Sequence, residues 1–217
     1  MEANIDAAGP LFVLFLVPFY LLAAVTLTSF VKVTVVLLIL RNALGLQQVP
    51  STIIVMALAI FISAFVSVPV FEQSLLSIVD LDFEVQRADQ LIELLSRVAA
   101  PFQAFVLVNV EKDHLDFFTK MAEQIWEGSG MEVSQTNFFI QVPAFLISEL
   151  SRGFQIGLLL YLPFIAIDLA ITTILMALGM QQVQPTLISA PFKLILFIFI
   201  DGWGKLIQGL LLSYNYA

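Results

Sequence analysis

The chain has 217 residues, 60% of them hydrophobic and 12% charged, with a formal net charge of −8. That apolar share is far above the roughly 45–50% of a soluble domain, which argues against a soluble monomer and for a membrane or membrane-like assembly. The negative balance argues against nucleic acid and anionic headgroups as main partners; with no cysteine and His114 the only histidine, no cofactor or transition-metal site is expected.

The first residues, Met-Glu-Ala-Asn-Ile-Asp, are acidic where a cleavable presequence would be basic, so this segment is expected to stay attached. Leu11 to Val31 is 21 residues without a charge, about the 20 that cross a hydrocarbon core, and Pro18 is placed to kink it. Past Lys32 the apolar run resumes to Leu40. Arg41-Asn42 then precede a turn, Ala43-Leu44-Gly45-Leu46-Gln47-Gln48-Val49-Pro50. The next apolar run, Ile53 to Val70, is bounded by Pro50 and Glu72, with Pro69 near its exit, and is expected to pair with the first as an antiparallel hairpin.

From Glu72 to Asn137 the composition changes. Between Asp80 and Glu132 there are eleven acids against four bases, Arg87, Arg97, Lys112 and Lys120. Val85, Ala88, Leu91, Ile92, Leu95 and Val98 recur at helical spacing, and this helix is expected to end near Pro101. A second, marked by Leu115, Phe118, Met121, Ala122, Ile125 and Trp126, is expected to stop at Gly128-Ser129-Gly130. Residues 72–137 therefore read as a hydrophilic helical insertion within a single domain spanning 1–217. The basic first loop and acidic middle place this insertion outside the cytoplasm. Glu111-Lys112-Asp113-His114 with Asp116 could suggest an acid–base cluster, but consecutive helical residues point in different directions, and a solvated helix face is the expectation. Enzymatic chemistry is not expected.

Asn137 is a candidate N-cap, after which the chain is apolar almost throughout. The run is interrupted by Glu149, Arg152, Asp168, Lys193, Asp201 and Lys205, three charges of each sign. At its centre Ala177-Leu178-Gly179-Met180-Gln181-Gln182-Val183-Gln184-Pro185 repeats the earlier turn, with glycine ending one helix and Pro185 setting where the next can begin. The fold class is all-α, two related helix-turn-helix hairpins of membrane type with the helical insertion between them. Gly202-Trp203-Gly204-Lys205 lacks the spacing of a phosphate loop and reads as small residues allowing close helix approach.

An ionisable group at bilayer depth costs at least ~2.5 kcal/mol, so these charges should be paired or wet. Glu149 and Arg152, and Asp201 and Lys205, are spaced to close on their own helix faces. Asp168 and Lys193 stand eleven residues before and fourteen after Gly179, which allows a pair between helices; removing one partner of a buried pair costs about 3–5 kcal/mol. Lys32, Arg41 and Lys205 are candidates for snorkelling to water from helix ends.

A longer series of motifs then stands in order along the chain. It comprises Phe30-Val31-Lys32; Leu40-Arg41-Asn42-Ala43-Leu44-Gly45; Gln47-Gln48-Val49-Pro50; Glu111-Lys112-Asp113; Pro143-Ala144-Phe145; Ser148-Glu149-Leu150; Phe154-Gln155-Ile156-Gly157; Pro163-Phe164; Ile167-Asp168; Leu178-Gly179-Met180; Pro191-Phe192-Lys193 and Asp201-Gly202-Trp203. The series resembles the FliP/SctR family of type III secretion export-apparatus proteins. The resemblance implies a multi-pass subunit of a pore-enclosing export gate at the bacterial inner membrane, projecting toward the periplasm. It implies a homo-oligomer, a pentamer in the family, assembled with SctS/FliQ-like and SctT/FliR-like subunits, in contact with lipid and passing secreted polypeptides. Family members carry methionines after the second-turn glycine as a pore gasket. Here Met180 alone matches, and Gln181 and Gln182 take the neighbouring positions. The acidic start leans toward a virulence injectisome over a flagellum. A small-solute transporter or channel, and a purely structural membrane scaffold, remain alternatives, since both can use paired hairpins and embedded charges.

Overall fold

The computed structural model describes residues 25–46, 50–79, 88–128, 130–180 and 182–216. The expected first span up to residue 24 with Pro18, the turn residues Gln47, Gln48 and Val49, the stretch from Asp80 to Arg87 with Val85, Ser129 and Gln181 lie outside these residues. Among the described residues all regular structure is helical, as expected: α1 (Phe30–Ala43), α2 (Thr52–Val79), α3 (Ala88–Asn109), α4 (Lys112–Ile125), α5 (Phe138–Ala177), α6 (Pro185–Phe199) and α7 (Gly202–Leu212).

The frame is α5, 40 residues long and about 60 Å at the usual rise per residue. Its start is set locally, because the Asn137 side chain accepts the Phe139 N–H at 2.9 Å and so satisfies one of the orphan donors of the first turn. Among the described residues the most extensive helix contact is α1 on α5. Gly157 makes that crossing close, since a Cβ there would collide with the Ile39 side chain of α1. Val33, Val36, Leu37 and Leu40 of α1 form the main core with Val55, Ala59 and Ile62 of α2, Phe164 of α5, Phe197 of α6 and Leu206 and Leu210 of α7. A smaller cluster, Leu115 and Ala122 with Ile140 and Ala144, seats α4 on the first turns of α5.

Two boundaries differ from the sequence expectation. Helix α2 does not stop between Val70 and Glu72 but runs to Val79 with Pro69 inside it, and α3 does not end near Pro101 but continues to Asn109. At Pro101 the missing N–H frees the Arg97 carbonyl, and the Ser77 hydroxyl of α2 approaches that carbonyl at 3.5 Å, while Ser74 donates to the adjacent Val98 carbonyl at 3.1 Å. The Ser77 proton goes chiefly to the Ser74 carbonyl at 2.7 Å, so the Arg97 carbonyl, on an exposed residue, is left mainly to solvent, and serines of α2 line the face of α3 where proline interrupts its ladder.

The two repeated turns share one geometry. Gly45 has φ 75° and donates to Asn42 O at 3.0 Å while Leu46 donates to Arg41 O at 3.3 Å; Gly179 has φ 72° and donates to Met176 O at 3.1 Å while Met180 donates to Leu175 O at 2.9 Å. Both are Schellman closures, with glycine supplying the left-handed residue. Pro185 is the first residue of α6, where its lost N–H would be unsatisfied anyway. Beyond α6 the chain bends by 63° into α7. The bend lies at Asp201, whose φ is 52°, and Gly202 faces the Phe197 ring with no room for a Cβ.

Thr52–Ser77 and Phe138–Ala177 are each long and apolar enough to cross a membrane, and the bent pair Pro185–Phe199 and Gly202–Leu212 would be a third if taken as one span.

Candidate functional site

Charges scattered along the sequence converge at two places beside α1. At the first, Lys32 of α1 and Glu149 of α5, 117 residues apart in sequence, face each other with Nζ to Oε1 at 3.3 Å, and both side chains are 0% exposed. Neither atom has a well-directed hydrogen bond, so the attraction is chiefly Coulombic. The Lys32 ammonium also lies 3.5 Å from the centroid of the Tyr214 ring, a cation–π contact. Tyr214 donates its hydroxyl to Glu149 Oε2. Burial first, and the Glu149 carboxylate second, push the Tyr214 phenol above its ordinary value, which keeps it a donor.

Arg152, one helical turn past Glu149, adds a second layer. Its Nη1 is 3.9 Å from Glu149 Oε1, but its stronger contacts are Nε to Glu111 Oε1 at 2.9 Å and Nη1 to the Asn109 carbonyl at 2.6 Å. His114 Nδ1 stands 3.0 Å from Ser148 Oγ and 3.4 Å from Glu111 Oε2. Ser148 spends its own proton on the Ala144 carbonyl at 2.7 Å. Toward His114 it can therefore only accept, so Nδ1 carries the imidazole proton. Lys32, Arg152, Glu111 and Glu149 balance in charge, joining α1, the α3–α4 connection and α5 in one network.

Glu149 and Arg152 do meet on their own helix face at 3.9 Å, as their spacing allows, although the nearer partner of Glu149 is Lys32 across helices and that of Arg152 is Glu111. Two sequence expectations are corrected here. Lys32 does not snorkel to water. Glu111 and His114 are not a freely solvated face, although Lys112, Asp113 and Asp116 are exposed.

At the second place, Lys193 of α6 donates to Asp168 Oδ2 of α5 at 2.6 Å and to the Ala43 carbonyl at 3.0 Å. Ser189, one turn earlier on α6, donates to Asp168 Oδ1 at 2.6 Å. Ala43 ends α1, so the ammonium lies against the carbonyl end of a helix, where the dipole favours a cation. Arg41, half-buried, donates to Thr52 Oγ1 at 3.0 Å and ties the start of α2, just past Pro50, to the end of α1. Asp201 and Lys205 are exposed, and among the described residues no side-chain ion pair joins them; the Lys205 N–H donates instead to the Asp201 carbonyl at 3.1 Å.

The two turns, alike in backbone, differ in surroundings. Leu44 is 2% exposed and a Cβ at Gly45 would touch Thr186 and Ala190 of α6, whereas Leu178 is 67% and Met180 44% exposed. Gln182 is exposed as well. Met180 and Met176 line a cavity of about 250 Å³ with Thr172, Leu175, Val183 and Pro185. One turn is thus packed into the molecule, and the other presents a flexible thioether at the free end of α5.

Sequence reading did not single out Tyr214, Asn109 or Ser148 as site residues. The visible signal was a polar Ser-Tyr-Asn-Tyr segment directly after an apolar helix. Among the described residues no three His, Cys, Asp or Glu side chains converge on a point that could hold a metal. What the arrangement does chemically is neutralise charge inside apolar protein.

The FliP family profile matches residues 11–210. The chain is 48% identical over 195 residues to "Probable translocation protein y4yL" of Sinorhizobium fredii, covering 89% of this chain and 88% of that one. It is 39% identical over 211 residues to "Yop proteins translocation protein R" of Yersinia pestis, with 97% of each chain covered. It is also 39% identical over 188 residues to "Harpin secretion protein HrcR" of Erwinia amylovora, covering 86% of this chain and 87% of that one.

Proposed function

Because the chain belongs to the FliP/SctR family of type III secretion export-apparatus proteins, we propose that it is a pore-forming subunit of the export gate, conducting unfolded polypeptides across the bacterial inner membrane. The observation that carries this reading is the exposed Leu178–Met180 turn at the end of α5. Methionine suits a seal that closes on itself and deforms around a passing chain, because its unbranched thioether repacks at little cost.

The length of α5 supports a gate that projects from the membrane, because about 60 Å of helix exceeds a hydrocarbon core of about 30 Å twofold. With Lys32, Glu149, Arg152, Asp168 and Lys193 paired inside the chain, the exposed apolar residues Phe154, Leu158, Leu162 and Leu169 of α5 are left for lipid or protein neighbours. Copies of this chain, a pentamer, and SctS-like and SctT-like subunits are the neighbours we assign. The names of the relatives, Yop translocation and harpin secretion, favour a virulence injectisome over a flagellum.

The test is conductance of the assembled complex in planar bilayers. Met180→Ala should leak ions before it abolishes assembly, and Met180→Asp should leak more through mutual repulsion. A fully assembled Met180→Asp complex as tight as the parent would remove this turn from the seal. A chain that transports small solutes when purified without partner subunits would favour the transporter reading.

A further inference from the structure

The segment that follows α7 is held by contacts of the kind that recognise a peptide. Asn109, buried at the end of α3, donates its side-chain amide to the Asn215 carbonyl at 2.8 Å and accepts the Asn215 N–H on Oδ1 at 3.0 Å. One side-chain amide thereby satisfies both backbone groups of one residue, as an adjacent strand would. Phe105, one turn earlier on α3, stacks on the Tyr214 ring at 5.9 Å between centroids and meets the Tyr216 ring at 6.0 Å. The two phenols go to different acceptors: Tyr214 to the Glu149 carboxylate of α5, and Tyr216 to the Val66 carbonyl of α2 at 2.7 Å. Asn215 itself is exposed. The backbone of the middle residue is read while its side chain is not, and both flanking hydroxyls are.

We infer that the cleft between α2, α3 and α5 is a recognition site for a Tyr-x-Tyr segment, filled here by Tyr214–Tyr216, and that its occupation is a releasable latch on α7. Helix α7 is tied at its two ends by different means. At its start is the left-handed Asp201, with the 63° bend from α6. At its other end is this short segment without regular structure, whose outer ring, Tyr216, is 45% exposed. Tyr214, 5% exposed, is also the lid over the Lys32–Glu149 pair, so release would admit water to a buried charge at the same moment that it freed α7. The occupant is this chain's own segment, because its residues match each feature of the cleft, and the same segment from another molecule would fit by the same contacts.

The chain has no cysteine, so Ser213→Cys places a single thiol beside the latch. In the full chain in mild detergent, Asn109→Ala should raise the maleimide labelling rate of that thiol by about tenfold, and Tyr216→Phe by a few-fold, in keeping with the loss of two hydrogen bonds and one. Tyr216→Phe removes one hydroxyl from a half-exposed ring, so it remains decisive where Asn109→Ala does not fold. A chain lacking residues 214–217 should be protected again by the added peptide Ser-Tyr-Asn-Tyr, saturably, and Ser-Phe-Asn-Phe should require about tenfold more. Parental labelling rates in folded variants, or equal action of the two peptides, would overturn the assignment.

Discussion

Replacing Lys32 with Met removes the ammonium that faces Glu149 and leaves a carboxylate that is 0% exposed. Breaking a buried pair from one side costs about 3–5 kcal/mol, because the surviving charge is uncompensated. Here Tyr214 still donates to Glu149, and Arg152 stays 3.9 Å away, which places the loss near the lower limit. Glu149→Gln is the harsher single change. It leaves a fully buried ammonium facing a neutral amide, with Arg152 nearby and only the Tyr214 ring, a contact that contributes about 2 kcal/mol when desolvated, to add attraction, so the loss should approach the upper limit. The double variant Lys32→Met with Glu149→Gln contains neither charge and should be more stable than either single variant, giving an interaction energy of at least about 5 kcal/mol. Equilibrium unfolding in detergent titrated with SDS, followed by tryptophan fluorescence and far-UV circular dichroism, measures all four corners of the cycle. If the two single losses simply add in the double variant, the pair is not coupled and the electrostatic account of this core is wrong.

The second pair should respond asymmetrically, since Lys193 is 3% and Asp168 37% exposed at the side chain. Asp168→Asn leaves a buried ammonium and should cost about 3 kcal/mol, while Lys193→Met leaves a carboxylate that water reaches and should cost about 1 kcal/mol, compared by the same unfolding measurement. Gly157→Val should force α1 from α5 and cost about 3 kcal/mol, and loss of assembled complex on native gels should accompany it. Raised in the folded state, the Tyr214 phenol contributes stability that is complete below its unfolded value near pH ~10 and is lost as pH rises beyond it, at about 1.4 kcal/mol per pH unit. Melting curves between pH 9 and 11 should therefore fall more steeply for the parent than for Tyr214→Phe, and parallel curves would contradict the burial of this hydroxyl.

Features decided by a few neighbouring residues were legible in the chain. Helix periodicity, the Asn137 cap, the Ala-Leu-Gly exits at Gly45 and Gly179 and the start of α6 at Pro185 all follow from backbone sterics and local hydrogen bonding, which depend on residue type within about one turn. The same sequence could state that embedded charges need partners, because the cost of an unpaired charge in apolar surroundings does not depend on the fold. Which groups meet was another matter. Near-equal spacing from Gly179 allowed for Lys193 with Asp168, but nothing local links Lys32 to Glu149, Arg152 to Glu111 or Tyr214 to either, since those contacts arise only when α1, α5 and the segment after α7 are packed together. Pro101 shows the same at a boundary: proline removes a donor within its own helix, and whether the helix continues rests on the packing of α3 along α2. Two turns of one sequence pattern became one packed and one exposed for that reason, because backbone geometry is set by adjacent residues, whereas burial is set by whatever the rest of the chain brings alongside.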